Sequence, residues 1–273
     1  MIIINLIGGL GNQMFQYATA KVLAIEKQQQ LYLNRQAFET YNLHEYGLQH
    51  FSLEQKDYKQ PFRIQQKLNE IFRNKIVHIE KDFNYNPLLN NLKGNLIFLE
   101  GYFQSEKYFI KYEKQIRDDF VIISPLKQKT LDTIDFMKLV NSVSIHIRRG
   151  DYLFNEIHNT DKEKYYNQAM KEVESKIANP VYFLFSDDMD WVKSNFKPVY
   201  ETHYIDFNNA HTNYEDLKLM SSCKHNIIAN SSFSWWGAWL NPNANKIVIA
   251  PQKWFNDKTL NYQDVIPDTW IKL

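Results

Sequence analysis

The chain has 273 residues, enough for one large domain or two compact Rossmann-like halves, and with 44% hydrophobic and 23% charged residues it builds a core and is not a disordered coil. Its 32 basic and 31 acidic residues leave a net charge of +1, which excludes the broad basic field of a general nucleic-acid binder. The single cysteine, Cys223, excludes an internal disulfide and fits a reducing compartment.

The opening apolar run is short and a glycine loop follows at once. There is no basic start, no small-residue cleavage site, and no stretch near the ~20 apolar residues of a membrane span. A soluble, cytoplasmic protein is expected, one able to lie against a membrane surface. Ile2, Ile3, Ile4, Leu6 and Ile7 read as a parallel strand covered on both faces. Beyond Gly8–Asn12, apolar residues recur at Met14, Phe15, Ala18, Val22 and Ile25 with helical spacing, and Gln30–Leu33 reads as a second strand. Further on, Phe62–Lys75 reads as helix, Asn84–Gly94 as loop, Asn95–Glu100 as strand and Glu106–Phe120 as helix. A boundary is expected between about 120 and 140, near Pro125.

The second half is more regular. In Ser142–Arg148, Val143, Ile145 and Ile147 share one face, and Ser144, His146 and Arg148 the other. A helix (Lys162–Ile177), a strand (Val181–Phe185), a short helix, a strand near Val199–Ile205 and a helix (Tyr214–Cys223) follow. A strand at Asn226–Ala229, a helix from Ser231 and a strand at Lys246–Ala250 complete the series. Such alternation implies an α/β fold with mainly parallel sheets.

Four segments have chemical potential. Gly8-Gly9-Leu10-Gly11-Asn12-Gln13 joins strand to helix, where free N–H groups and the helix dipole favour an anion; the other reading is a plain tight turn. With Met14 at the third glycine position it is not the dinucleotide fingerprint. His146-Ile147-Arg148-Arg149-Gly150-Asp151-Tyr152 ends a strand, and arginine forks suit phosphate oxygens; a structural Arg–Asp bridge is the alternative. Ser186-Asp187-Asp188 reads as a helix cap, a metal site or a guanine contact. Asn230-Ser231-Ser232 opens a helix where hydroxyl and N–H groups can hold phosphate or simply cap, and the tryptophans that follow read more readily as core. Glu215 and Asp216 read as dipole partners or caps of their own helix. No Cys/His metal spacing and no nucleophile elbow is present.

Together GGLGNQMFQYA (Gly8–Ala18), LEGYFQSEKYF (Leu99–Phe109), HIRRGDY (146–152), FSDD (185–188) and the run from His225 through NSSFSWWGAW resemble the bacterial α-1,2-fucosyltransferases, a family that includes the animal enzymes making the blood-group H structure. The resemblance implies a GT-B-type fold of two Rossmann-like domains with a cleft between them. Residues 1–130 would form the mainly acceptor-side domain and 131–273 the domain binding GDP-fucose. It implies an inverting galactoside α-1,2-fucosyltransferase that needs no metal or other cofactor. GDP-fucose would be the donor and the 2-hydroxyl of a terminal galactose, in an oligosaccharide or lipid-linked glycan, the acceptor. The implied donor residues are Gly9, Gly11, Asn12, Gln13, His146, Arg148, Asp187, Asp188, Asn230, Ser231 and Ser232. His146 and one of the two aspartates would meet guanine. Arg148, Arg149 and Asp151 are the catalytic candidates, and Asp151, Glu156 and His158 the candidates for general base. The acceptor side is expected within residues 35 to 125, Tyr102, Phe103 and Gln104 included. No nucleic-acid partner is expected, and the sequence carries no sign of oligomeric state.

Overall fold

A computed structural model describes residues 1–40, 43–58, 77–150, 157 and 163–273. The helix expected over Phe62–Lys75, and Asp151, Tyr152, Glu156 and His158, lie outside the described residues. The chain forms two compact units, residues 1–123 with 261–265, and residues 124–260 with 266–273. The fold is α/β with parallel sheets, as expected.

The first unit holds four parallel strands, β1 (Ile2–Asn5), β2 (Leu31–Asn34), β3 (Val77–Ile79) and β4 (Ile97–Glu100), in the order β2-β1-β4-β3. Ile2, Ile3 and Ile4 are fully buried, so β1 is covered on both faces. Each such side chain contributes about 1.5–3 kcal/mol by leaving water. Helix α1 (Leu10–Glu26) follows the glycine loop and is buried over most of its circumference, Gln13, Gln16 and Thr19 included. The short α2 (Ala37–Thr40) follows β2.

The single helix expected over Glu106–Phe120 is instead two 3-10 turns, Glu106–Tyr108 and Ile110–Tyr112, and then α3 (Glu113–Asp119). The reason is packing. Tyr108 meets Tyr85 and Phe103, while its neighbour Phe109 meets Phe15. These contacts are made with Phe109 at φ −138°, outside the helical range, and the turn ends there. Within the expected loop, Pro87–Asn91 forms a 3-10 turn capped by the Asn86 side chain, which accepts from Leu88 N at 3.0 Å.

The second unit holds β5 (Asn141–Ile147), β6 (Pro180–Ser186), β7 (Thr202–Tyr204), β8 (His225–Ile227), β9 (Val248–Ala250) and β10 (Ile271–Lys272). All are parallel, in the order β10-β9-β8-β5-β6-β7. The helices are α4 (Gln128–Leu139), α5 (Glu163–Glu174), α6 (Met189–Asn195), α7 (Asn213–Ser222) and α8 (Ser232–Trp239). One face of the sheet (Val143, Ile145, Ile147, Tyr182, Leu184) packs on Tyr165, Tyr166, Ala169 and Val173 of α5. The other (Val181, Phe183, Phe185) packs on Ile134 and Met137 of α4 and Leu219 and Met220 of α7. Helix α4 occupies the polar stretch read as a domain boundary. Its buried residues Thr130, Ile134 and Met137 recur at helical spacing, but only Ile134 and Met137 of these are apolar, too weak a stripe to stand out in sequence.

Candidate functional site

The second sheet runs outward from β5 through β6 to β7, then returns to the opposite side of β5 with β8. Such a reversal leaves a crevice at the carboxyl ends of the two strands that flank it, where open α/β sheets bind ligands. Three of the four singled-out segments follow the three adjacent strands there: Arg148–Gly150 after β5, Asp187–Asp188 after β6 and Asn230–Ser232 after β8.

The arginines are oriented by the aspartates beyond the neighbouring strand. Arg148 Nη1 lies 3.0 Å from Asp187 Oδ2, with the two side chains 26% and 23% exposed. Asp187 Oδ1 accepts from the Arg149 backbone N–H at 2.9 Å. Arg149 Nε donates to Asp188 Oδ2 at 3.3 Å, and its guanidinium carbon lies 3.5 Å from the centroid of the Trp191 ring. A stacked, paired guanidinium is held in one plane, and with Nε used its two Nη groups are the forked end. Asp188 also caps α6, accepting from Trp191 N at 3.3 Å. Of the readings open for this segment, the cap describes Asp188, and the pairing of both carboxylates with the arginines is an addition. The Arg–Asp bridge read within residues 146–152 involves Asp151, outside the described residues.

Gly150 lacks a side chain for a reason of space. A Cβ there would collide with Asp187 Oδ2.

Beneath the crevice, two consecutive tyrosines of α5 brace the strand ends. Tyr166 donates to the His146 carbonyl at 2.7 Å, and Tyr165 to the Ile228 and Ile249 carbonyls at 2.7 and 3.0 Å. Burial, then the nearby Asp187 charge, pushes the Tyr166 hydroxyl far above its ordinary range, so it remains a donor. His146 is buried at the end of β5, its ring 5.9 Å from that of Phe233 in α8.

Ser231 is the N-cap residue of α8, yet its hydroxyl makes no capping hydrogen bond. Asn230 Nδ2 donates to the Trp254 carbonyl at 2.9 Å. Trp235, Trp236 and Trp239 are buried and pack on one another, with Trp235 also against Trp270, which is the core role expected of them.

In the first unit, Gly9 is the N-cap residue of α1 and Gly11 and Asn12 lie in its first turn. Gln13 works as a clamp: its Nε2 donates to the Gly8 and Glu45 carbonyls at 2.9 and 2.8 Å, and its Oε1 accepts from Gly47 N at 2.9 Å. Glu80, just after β3, is half-buried, and burial pushes its carboxyl up to about 7 against the pull of two backbone N–H groups.

Glu215 and Asp216 do lie in the first turn of α7, but Glu215 serves a neighbouring helix. Glu215 Oε2 accepts from Lys127 N at 3.0 Å and Thr130 Oγ1 at 2.6 Å, which secures the start of α4. Asp216 accepts from Asn208 Nδ2 at 2.7 Å, and burial pushes it up to about 7. Among the described residues, no group of three or more His, Cys, Asp or Glu is arranged to hold a metal ion, and no helix is long and apolar enough to cross a membrane.

The sequence reading missed Trp191, Tyr165 and Tyr166, and named Gly150 only as part of the arginine motif, without its steric role. A tryptophan three residues after an N-cap aspartate was the one visible signal among them.

The profile of glycosyl transferase family 11 matches residues 1–273. An Escherichia coli α-1,2-colitosyltransferase is 34% identical across all of this chain and 99% of its own length. The Escherichia coli O-antigen biosynthesis glycosyltransferase WbnK is 34% identical over 97% of this chain and 98% of its own. The human galactoside α-(1,2)-fucosyltransferase 1 is more distant, 25% identical over 55% of this chain and 44% of its own length. Among solved structures, the NodZ α-1,6-fucosyltransferase soaked with GDP-fucose has a related fold, with a TM-score of 0.50 at 14% identity over 88% of this chain and 92% of that one.

Proposed function

The chain belongs to glycosyl transferase family 11, and from that premise we propose that it transfers L-fucose from GDP-fucose to the 2-hydroxyl of a galactose, with inversion and without a metal. The observation that carries this reading is the meeting of Arg148, Arg149 and the amino-terminal end of α8 at the switch point of the second sheet.

The proposed chemistry follows from charge. An acceptor hydroxyl attacks C1 of the sugar as the bond from C1 to the β-phosphate oxygen breaks, through an oxocarbenium-like state. Negative charge grows on the leaving diphosphate, and the arginine forks, the Ser231 hydroxyl and the Ser232 N–H are proposed to face it. The Ser231 N–H is already donated to the Ala229 carbonyl at 2.8 Å. Two fixed guanidinium groups supply the positive charge that a divalent cation supplies in other transferases. The hydroxyl proton leaves to a base or to solvent. His146, Asp187 and Asp188 are proposed for the guanine side, and Gly9, Gly11 and Asn12 for the donor sugar side, of a GT-B-type enzyme. Gln13, buried with its amide committed to Gly8, Glu45 and Gly47, shapes the loop and does not contact the donor. The name of the human relative supports a galactoside acceptor, and that of WbnK supports a surface-glycan one.

A second donor is favoured by a specific observation, the 34% identity to an α-1,2-colitosyltransferase. Colitose is L-fucose without its 3-hydroxyl, so the same diphosphate machinery serves both sugars. The test is transfer to galactosides from GDP-fucose and GDP-colitose, in EDTA and with Mn²⁺, with the product linkage read by NMR. An α-1,2 product in EDTA supports the proposal, and the preferred donor decides between the sugars. Activity with UDP-sugars only, or only with Mn²⁺, refutes it. Arg148→Ala is expected to lower turnover about 10²-fold or more at saturating donor.

A further inference from the structure

The first sheet has a switch point of its own, between β1 and β4, and the loops leaving these strands are the glycine loop and residues 101–104. The second loop has a constrained shape. Gly101 and Phe103 have φ of +155° and +54°, and for phenylalanine this left-handed region is seldom adopted. Glu80 braces it, accepting from Tyr102 N at 2.6 Å and from Phe103 N at 2.9 and 3.0 Å. Gln16 Nε2 ties the Gly101 carbonyl at 2.9 Å.

What this bracing presents is Gln104. The residue is 7% exposed, and its Nε2 donates to Asn12 Oδ1, in the first turn of α1, at 2.9 Å. The other end of the amide, Oε1, is buried with no hydrogen-bond partner among the described residues. Buried polar atoms are nearly always paired, so an open acceptor beside a strained, braced loop marks a place for a donor. An anion does not fit, because a carbonyl oxygen repels it. A neutral hydroxyl fits. Half-buried aromatic surface adjoins the loop, where the Tyr102 ring stacks on Phe83 at 6.2 Å.

We propose that the Gln104 side-chain carbonyl accepts a hydrogen bond from a hydroxyl of a sugar substrate, with Asn12 fixing its amide and Glu80 fixing its loop. The proposal rests on the reading of the chain as a sugar transferase and names a contact for its substrate. The hydroxyl belongs either to the acceptor or to the transferred sugar, and the experiment separates these.

Gln104→Leu removes the acceptor; Gln104→Met, closer in shape, takes its place if the first variant does not fold. Galactoside and GDP-fucose are varied separately in steady-state kinetics, and GDP affinity is measured by calorimetry. The expected result is a fall in kcat/KM of about tenfold to a hundredfold with GDP affinity unchanged. A raised KM for the galactoside assigns the acceptor sugar, and a raised KM for GDP-fucose at unchanged GDP affinity assigns the transferred one. Unchanged kinetics on both axes make Gln104 a water-bridged structural amide, and weakened GDP binding makes it a diphosphate contact; either overturns the proposal. Saturation-transfer NMR with lactose and with free fucose runs alongside. Sugar signals in a wild-type protein that transfers nothing, lost in the variant, would refute the transferase reading and retain this contact. Absence of sugar signals and of transfer would refute both.

Discussion

Gly150→Ala is the substitution that most sharply examines how the arginine motif is held. The added methyl occupies the space of Asp187 Oδ2, and Asp187 is anchored at both oxygens, by Arg148 Nη1 at 3.0 Å and the Arg149 backbone N–H at 2.9 Å. Relief requires the carboxylate to swing by about 1 Å, which stretches both contacts beyond hydrogen-bond range. A hydrogen bond to a charged group contributes about 1.5–3 kcal/mol, but this pair is roughly a quarter exposed and solvent screens it. The stability cost is therefore about 1 kcal/mol, a fall in Tm of about 2–4 °C for a chain of this length. Function should suffer more, because Arg148 loses its orienting partner: GDP affinity and kcat/KM are expected to drop about tenfold. Calorimetry with GDP, thermal unfolding and transfer assays on Gly150→Ala, Asp187→Ala and the double variant form a closed cycle. With Asp187 already truncated the methyl keeps only an ordinary 3.8 Å contact with the Cβ of residue 187, so the double variant should match Asp187→Ala within about 0.5 kcal/mol. Additive losses in the cycle would show that Gly150 acts through something other than Asp187, and wild-type GDP affinity in Gly150→Ala would refute the argument outright.

Glu215→Ala leaves Lys127 N and Thr130 Oγ1 without their 1%-exposed partner, and a loss of about 2–4 kcal/mol in urea unfolding is expected with GDP affinity unchanged. Gly237→Ala sets a Cβ 2.8 Å from Met220 Cβ where α8 packs on α7, and overpacking there should cost about 1–3 kcal/mol; a neutral result would mean that the two helices separate easily. Asp216, normally near 3.8, is held at about 7 by burial first, then by the Glu215 charge. The folded state thus binds more protons than the unfolded one between these values, and stability is lost as pH rises through about 7. Asp216→Asn keeps the acceptor for Asn208 and abolishes this loss, so its Tm advantage over the wild type should grow from pH 4 to 7 and then level off. A constant difference across that range would argue against a raised Asp216.

The parallel strands were legible from local pattern: a continuous apolar run in β1 and in most of β6, and alternation of apolar with polar positions in β5. β1, β4, β7 and β9 lie within the runs read from sequence, and β2, β5, β6 and β8 overlap theirs to within one or two residues at either end. The short β3 and β10 and the weakly amphipathic α4 were not, since their pairing partners are distant in the chain and leave no local periodicity. Residue types pointed to capping at Asp188, which the structure bears out, and at Ser231, whose hydroxyl makes no capping hydrogen bond. They could not tell whether a carboxylate serves its own helix or another, as Glu215 serves α4.

The sequence by itself determined the α/β class, the family resemblance and which short segments have chemical potential, because apolar periodicity and side-chain type are local properties. Only the tertiary structure decided the order of the strands, and with it the meeting of Arg148, Asp187 and Ser231 at one switch point. It alone set Trp191 under Arg149 and left the Gln104 carbonyl buried and open. These facts depend on contacts between residues tens of positions apart, formed by burying both faces of each sheet at once, and no window of sequence contains them.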